Sequence, residues 1–94
     1  MSIIVQKYGG SSVADTEKIK SIAENIIERR KENPQMVIVV SAMGKSTDEY
    51  ITLAKELSNE PSKRELDALM STGEMISASL LSIALNALGC KAIS

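Results

Sequence analysis

The chain has no histidine and a single cysteine, Cys90. Without histidine the commonest general base of enzyme chemistry is gone. One thiol with no partner excludes an internal disulfide, a structural zinc cluster and a cysteine-histidine nucleophile pair, so Cys90 is expected to be a small buried apolar residue. Clustered positive charge is also lacking, since 11 Lys and Arg stand against 12 Asp and Glu for a formal charge of -1. The one basic run, Arg29-Arg30-Lys31, suits the last turn of a helix, where it offsets the negative end of the dipole. Neither nucleic acid nor an anionic membrane surface is an expected partner. The longest uncharged stretch runs from Met75 to Cys90 and is interrupted by Ser77, Ser79, Ser82 and Asn86, short of the roughly 18 apolar residues that suggest a membrane span. No N-terminal stretch joins a basic start to an apolar core and a cleavage site, and a cytoplasmic location is expected. Two nucleotide fingerprints are missing as well: neither GxxxxGKS/T nor GxGxxG occurs.

The 94 residues present, 44% hydrophobic and 24% charged, fit one small globular domain with a modest core and leave no room for a second. Ile3-Ile4-Val5 leads through Gln6-Lys7-Tyr8 into Gly9-Gly10-Ser11-Ser12, which reads as a first strand over residues 2–8 opening into a glycine turn. Ile19, Ile22, Ala23, Ile26 and Ile27 recur on one helical face, with Asp15 as N-cap and Asn33-Pro34 as the stop. Met36 to Val40 is a β-branched run of the kind covered on both sheet faces. Ser46 with Glu49, and Ser62 with Glu65, have capping-box spacing. Tyr50, Leu53, Ala54 and Leu57 supply the apolar face of a helix ending near Asn59. Leu66, Leu69 and Met70 continue helically to Gly73. Met75 to Leu88 is then apolar almost all round and needs cover on several sides, and Lys91 to Ser94 reads as the start of a third strand.

Strand, helix and strand in that order require a parallel pair joined by a right-handed crossover, hence an α/β layered parallel sheet with flanking helices. Parallel strands bring their C-terminal ends to one edge, where open α/β sheets bind ligands. The loops Gly9–Ser12 and Ser41–Thr47 are therefore expected to face one crevice.

A Gly-Gly-Ser-Ser turn ahead of a helix offers backbone N–H groups to an anion and lets phosphate oxygens approach without Cβ obstruction. Lys7 at the strand exit would add an ammonium that screens charge on a transferring phosphoryl group, although a strand-end lysine reaching water has the same sequence. Chemistry that needs neither histidine nor thiol is favoured. A side-chain carboxylate qualifies as acceptor, because with a pKa of about 4 it is already ionised at neutral pH.

Three segments in order carry a specific resemblance: KYGGSSV at residues 7–13, VVSAMG at 39–44 continued by Lys45-Ser46-Thr47-Asp48-Glu49, and STGE at 71–74. Together they resemble the signatures of aspartate kinases, members of the amino-acid kinase family, and the likeness runs the whole chain in register. The resemblance implies an amino-acid kinase-like fold and ATP-dependent phosphorylation of the L-aspartate side-chain carboxylate, the entry step to lysine, threonine and methionine synthesis. On it, Lys7, Gly9 and Gly10 contact ATP phosphates, with Lys7 as the catalytic residue, Tyr8 contributing backbone, and Ser11 and Ser12 available as hydroxyl donors. Thr47 and Glu74 bind aspartate, and Ser41 also reaches it.

Each has a bland alternative. Ser11 and Ser12 are also turn formers, Thr47 is also a helix-capping residue, and Glu74 is also a first-turn acid favoured by the dipole. A substrate ammonium needs a carboxylate partner, which favours the functional reading of Glu74. No metal ligand is assigned, since the resemblance places the adenine, ribose and most of the Mg²⁺ site in later segments. The chain is accordingly expected to be an incomplete domain, inactive alone, and to self-associate or form homo-oligomers through the apolar 75–88 helix. Rival readings are another family member acting on glutamate, acetylglutamate, carbamate or a nucleoside monophosphate, and a non-catalytic anion-binding or assembly fragment.

Overall fold

Pairing of two β-branched runs sets the frame. In the computed structural model, which describes residues 2–94, β1 (Ile4–Tyr8) lies parallel to β2 (Met36–Val40), in register from Ile4 opposite Met36 to Tyr8 opposite Val40. The first rung is the bond from the Ile4 N–H to the Gln35 carbonyl, 3.0 Å. Ser2 and Ile3, expected in the strand, lie outside it, because the partner run begins only at Gln35. Side chains alternate: Ile4, Gln6 and Tyr8, with Met36, Ile38 and Val40, are half-buried, whereas Val5, Lys7, Val37 and Val39 point outward. Two-sided cover of Met36–Val40 is thus corrected. Both helices that touch the core lie against one sheet face, and Val37 on the other is 50% exposed.

The crossover is α1 (Thr16–Arg30), entered through a single 3₁₀ turn, Gly10–Val13. Asp15 caps it as expected, its Oδ1 accepting the Lys18 N–H at 2.8 Å, and Arg29 and Arg30 occupy the last turn. Its apolar stripe of Ile19, Ile22, Ala23 and Ile26 packs with Val13, Leu81, Leu85 and Cys90 to form the core. Cys90 is buried, as its lone apolar character suggested.

Two helices follow β2: α2 (Ser46–Leu57) and α3 (Lys63–Ala87). Neither capping box forms. The α2 cap position falls on Lys45, because the Ser46 N–H already bonds the Met43 carbonyl at 3.0 Å and makes Ser46 the first helical residue. Ser62 does cap α3, but through its carbonyl, which accepts from the Leu66 N–H, and without a side-chain bond. The two stretches read on either side of Gly73 are one helix of 25 residues. By length and composition α3 is apolar enough to cross a membrane, yet Gly73, Ser77, Leu81 and Leu85 form a buried stripe at helical spacing, the pattern of a core helix. Its other sides stay open within this chain, with Met75, Ile76 and Ile83 exposed.

The expected third strand does not form among the described residues; the sheet has two strands. Lys91–Ser94 lies across an apolar groove of about 440 Å³ from Met36, Val37 and Ile38. Both backbone groups of Ala92 are taken instead by the Asn86 side chain, at 2.9 and 3.2 Å, which replaces a ladder partner with a helix-borne amide.

Candidate functional site

The two loops that leave the C-terminal edge of the sheet are stitched together. The Ser41 N–H donates to the Tyr8 carbonyl at 3.1 Å, extending the ladder one step past β2, and the Gly44 N–H donates to the Gly10 carbonyl at 2.9 Å. The two loops expected to face one crevice are therefore bonded to each other. Gly44 has φ +50, a left-handed conformation that only glycine adopts without cost, and that bend turns the chain into α2.

The two glycines of the first loop serve different ends. A Cβ on Gly10 would lie 3.0 Å from the Ala42 carbonyl oxygen and 3.2 Å from that of Gly44, so the loops abut there. A Cβ on Gly9 would meet nothing within 4 Å. Gly10 is needed for packing between loops, whereas the space before Gly9 is open to a ligand. Gly9 is also the cap residue of the 3₁₀ turn, in extended conformation.

Lys7 is exposed on the outward face of β1, opposite Val39. Its neighbour Tyr8 turns the other way, packs against the core and donates its hydroxyl to Gln6 Oε1 at 3.0 Å. The Tyr8 carbonyl is committed to Ser41, which limits what its backbone can offer a nucleotide. Ser11 and Ser12 are exposed in the 3₁₀ turn. The Ser11 carbonyl accepts from Lys18 Nζ at 3.2 Å, and the Ser12 N–H is spent on the Gly9 carbonyl at 3.1 Å. Their hydroxyls, not these groups, are what the loop presents.

Ser41 and Thr47 are half-buried on the second loop and at the second position of α2. Because Lys45 holds the cap position and no side-chain cap bond forms, the capping alternative for Thr47 falls away. Glu74 loses its alternative too. It sits in the middle of α3, exposed and far from the first turn, where the dipole gives a carboxylate no particular support. The ion pairs among the described residues are Lys20 with Glu17 within α1 and Lys31 with Glu28 at its C-terminal end, so Glu74 has no internal cation.

Sequence reasoning missed the residue on which the segments meet. Ala42 is buried, its carbonyl facing Gly10, and a Cβ on Gly73 would come within 2.8 Å of the Ala42 Cβ. Gly73 therefore seats α3 against the second loop, and Glu74 is the next residue along the helix. A glycine inside a helix costs about 1 kcal/mol relative to alanine, and its position within an otherwise helical pattern was the available signal.

Among the described residues no group of three or more His, Cys, Asp or Glu side chains is placed to hold a metal ion. Two apolar surface grooves, one beside β2 and one between α1 and α3, include no residue of either loop. The strand end and the two loops thus offer exposed cations at Lys7 and Lys45, hydroxyls on two adjoining loops and an open approach at Gly9, and the third segment adds a carboxylate with no ion-pair partner.

Comparison with known proteins identifies the family and the fold. Residues 2–94 match the model of the amino acid kinase family. The chain is 53% identical over its full length to an aspartokinase of Geobacillus stearothermophilus and to aspartokinase 2 of Bacillus subtilis, and 49% identical over 98% of its length to one of Thermus thermophilus. It spans 23% of each of these relatives. The crystal structure of aspartate kinase from Synechocystis superimposes with a TM-score of 0.91 at 47% identity, covering 98% of this chain and 16% of that one.

Proposed function

The chain belongs to the amino acid kinase family, and from that premise we propose that it is the nucleotide- and acceptor-binding opening segment of an aspartate kinase. The reaction is transfer of the γ-phosphoryl group of ATP to the side-chain carboxylate of L-aspartate, giving 4-phospho-L-aspartate. The observation that carries this reading is the bonded pair of loops at the sheet edge, with Ser41 tied to Tyr8 and Gly44 to Gly10. With the first loop as the phosphate-donor side and the second as the acceptor side, that bonding would keep the two reactants side by side.

A carboxylate oxygen attacks the γ-phosphorus as the bond to the β,γ-bridging oxygen breaks, and ADP leaves with that electron pair. No proton has to move, because the carboxylate is ionised well above its pKa of about 4. The task is to align two anions and screen their repulsion. Gly9 admits the phosphates, Lys7 supplies the screening charge, and the Ser11 and Ser12 hydroxyls donate to phosphate oxygens. Glu74 takes the ammonium of aspartate, while Thr47 and Ser41 donate to its carboxylate oxygens. Mg²⁺ would neutralise phosphate charge in such a transfer, and the described residues hold no group of three or more His, Cys, Asp or Glu placed to bind it. The location is cytoplasmic, as for a soluble biosynthetic enzyme.

The full-length protein, assayed for ADP release with aspartate, glutamate, acetylglutamate and carbamate, is expected to prefer aspartate. Preference for any other acceptor would overturn the assignment.

A further inference from the structure

Gly73 and Gly10 meet Ala42 from two sides. A Cβ on Gly73 would sit 2.8 Å from the Ala42 Cβ and 3.4 Å from Tyr50 Cε2, and a Cβ on Gly10 would sit 3.0 Å from the Ala42 carbonyl oxygen. Neither contact can give cheaply, because Ala42 has no flexible side chain to swing away and the atom facing Gly10 is backbone. The Gly73 carbonyl is itself held by Ser77, whose fully buried hydroxyl donates to it at 3.3 Å. One alanine, next in sequence to Ser41, is thus gripped between the loop ahead of α1 and the middle of α3 at Gly73, the residue before Glu74.

We infer that Gly73 is a positioning residue for the acceptor: by seating α3 against Ala42 it fixes the distance from Glu74 to the Ser41–Thr47 loop, and so where aspartate sits relative to the phosphate loop. This rests on the aspartate kinase reading. Displacements on the order of 1 Å at such a joint cost up to about 10²-fold in rate when two reactants must be aligned. The effect should fall mainly on the acceptor, since Gly73 meets the Ala42 methyl on the acceptor loop, whereas the phosphate loop meets Ala42 at its backbone carbonyl, through Gly10.

The test is a size swap in the full-length enzyme. Gly73→Ala is expected to raise the KM for aspartate and lower its kcat/KM by roughly 10- to 100-fold, with the KM for ATP unchanged. Adding Ala42→Gly removes the opposing methyl and should restore most of the loss. Should Gly73→Ala fail to fold, Ala42→Ser, which adds one atom at the same contact, takes its place and must show the same split between acceptor and nucleotide. A folded variant with wild-type aspartate kinetics overturns the inference, as does a double variant that stays impaired. Wild-type protein inert toward aspartate would instead sink the kinase reading, so the two failures are separable.

Discussion

Lys7 and Glu74 carry opposite charges on different elements, and their proposed roles separate in kinetics. Lys7 projects from the outward face of β1, where its ammonium can follow charge that builds only during transfer. Glu74 is exposed on α3 without an internal ion-pair partner, so its carboxylate is available to an ammonium already present in the ground state. Lys7→Ala in the full-length enzyme is expected to lower kcat by roughly 10²-fold or more. Glu74→Gln is expected to act on aspartate, reducing its kcat/KM by roughly 10- to 100-fold, the worth of one charge-assisted hydrogen bond, while the KM for ATP holds. Steady-state kinetics with each substrate varied in turn distinguish the two, and an unchanged kcat for Lys7→Ala would remove that residue from the chemistry. Gly9 and Gly10 show how neighbouring identical residues divide labour, one leaving room for a ligand and the other letting two backbones touch.

Among the elements, α1 follows local rules closely and α3 does not. Asp15 accepts the Lys18 N–H, and four apolar residues on one face meet the core, so α1 begins and packs where its own sequence directs. Asp15→Ala is expected to cost about 1 kcal/mol, seen as a lower melting temperature, whereas Asp15→Asn, an equally good cap, should be nearly neutral. Equal losses for both would show that the carboxylate charge and not the capping bond matters. In α3 the glycine of the STGE segment looked like a boundary, yet the helix runs through it for 25 residues. Its tolerance there comes from Ala42, which is 31 positions earlier in the chain and packs against the gap a side chain would fill. The start of α2 moved for a similar reason, because the left-handed Gly44 lets Ser46 join the helix before it can cap it.

Taken whole, residues 2–94 form a two-stranded sheet with one covered face and one open face bearing Val5, Val37 and Val39. An exposed apolar patch of this kind drives association. The chain expressed alone is expected to show concentration-dependent self-association in sedimentation velocity. Replacing the register partners Val5 and Val37 by Lys and Glu should shift it toward monomer, whereas an unaltered profile would point to the exposed side of α3 around Met75, Ile76 and Ile83 instead. By itself the sequence determined the order of elements from β1 to α2, the parallel pairing, the α1 cap and core stripe, and the two loops that share one edge, because each follows from short-range periodicity or from the geometry of a crossover. Only the tertiary structure decided that α3 is unbroken, that Glu74 lies mid-helix, that Lys91–Ser94 is not a strand, and that Ala42 is the joint of three segments. Those depend on which distant backbone comes close enough to touch, and neither helical periodicity nor turn chemistry records that distance.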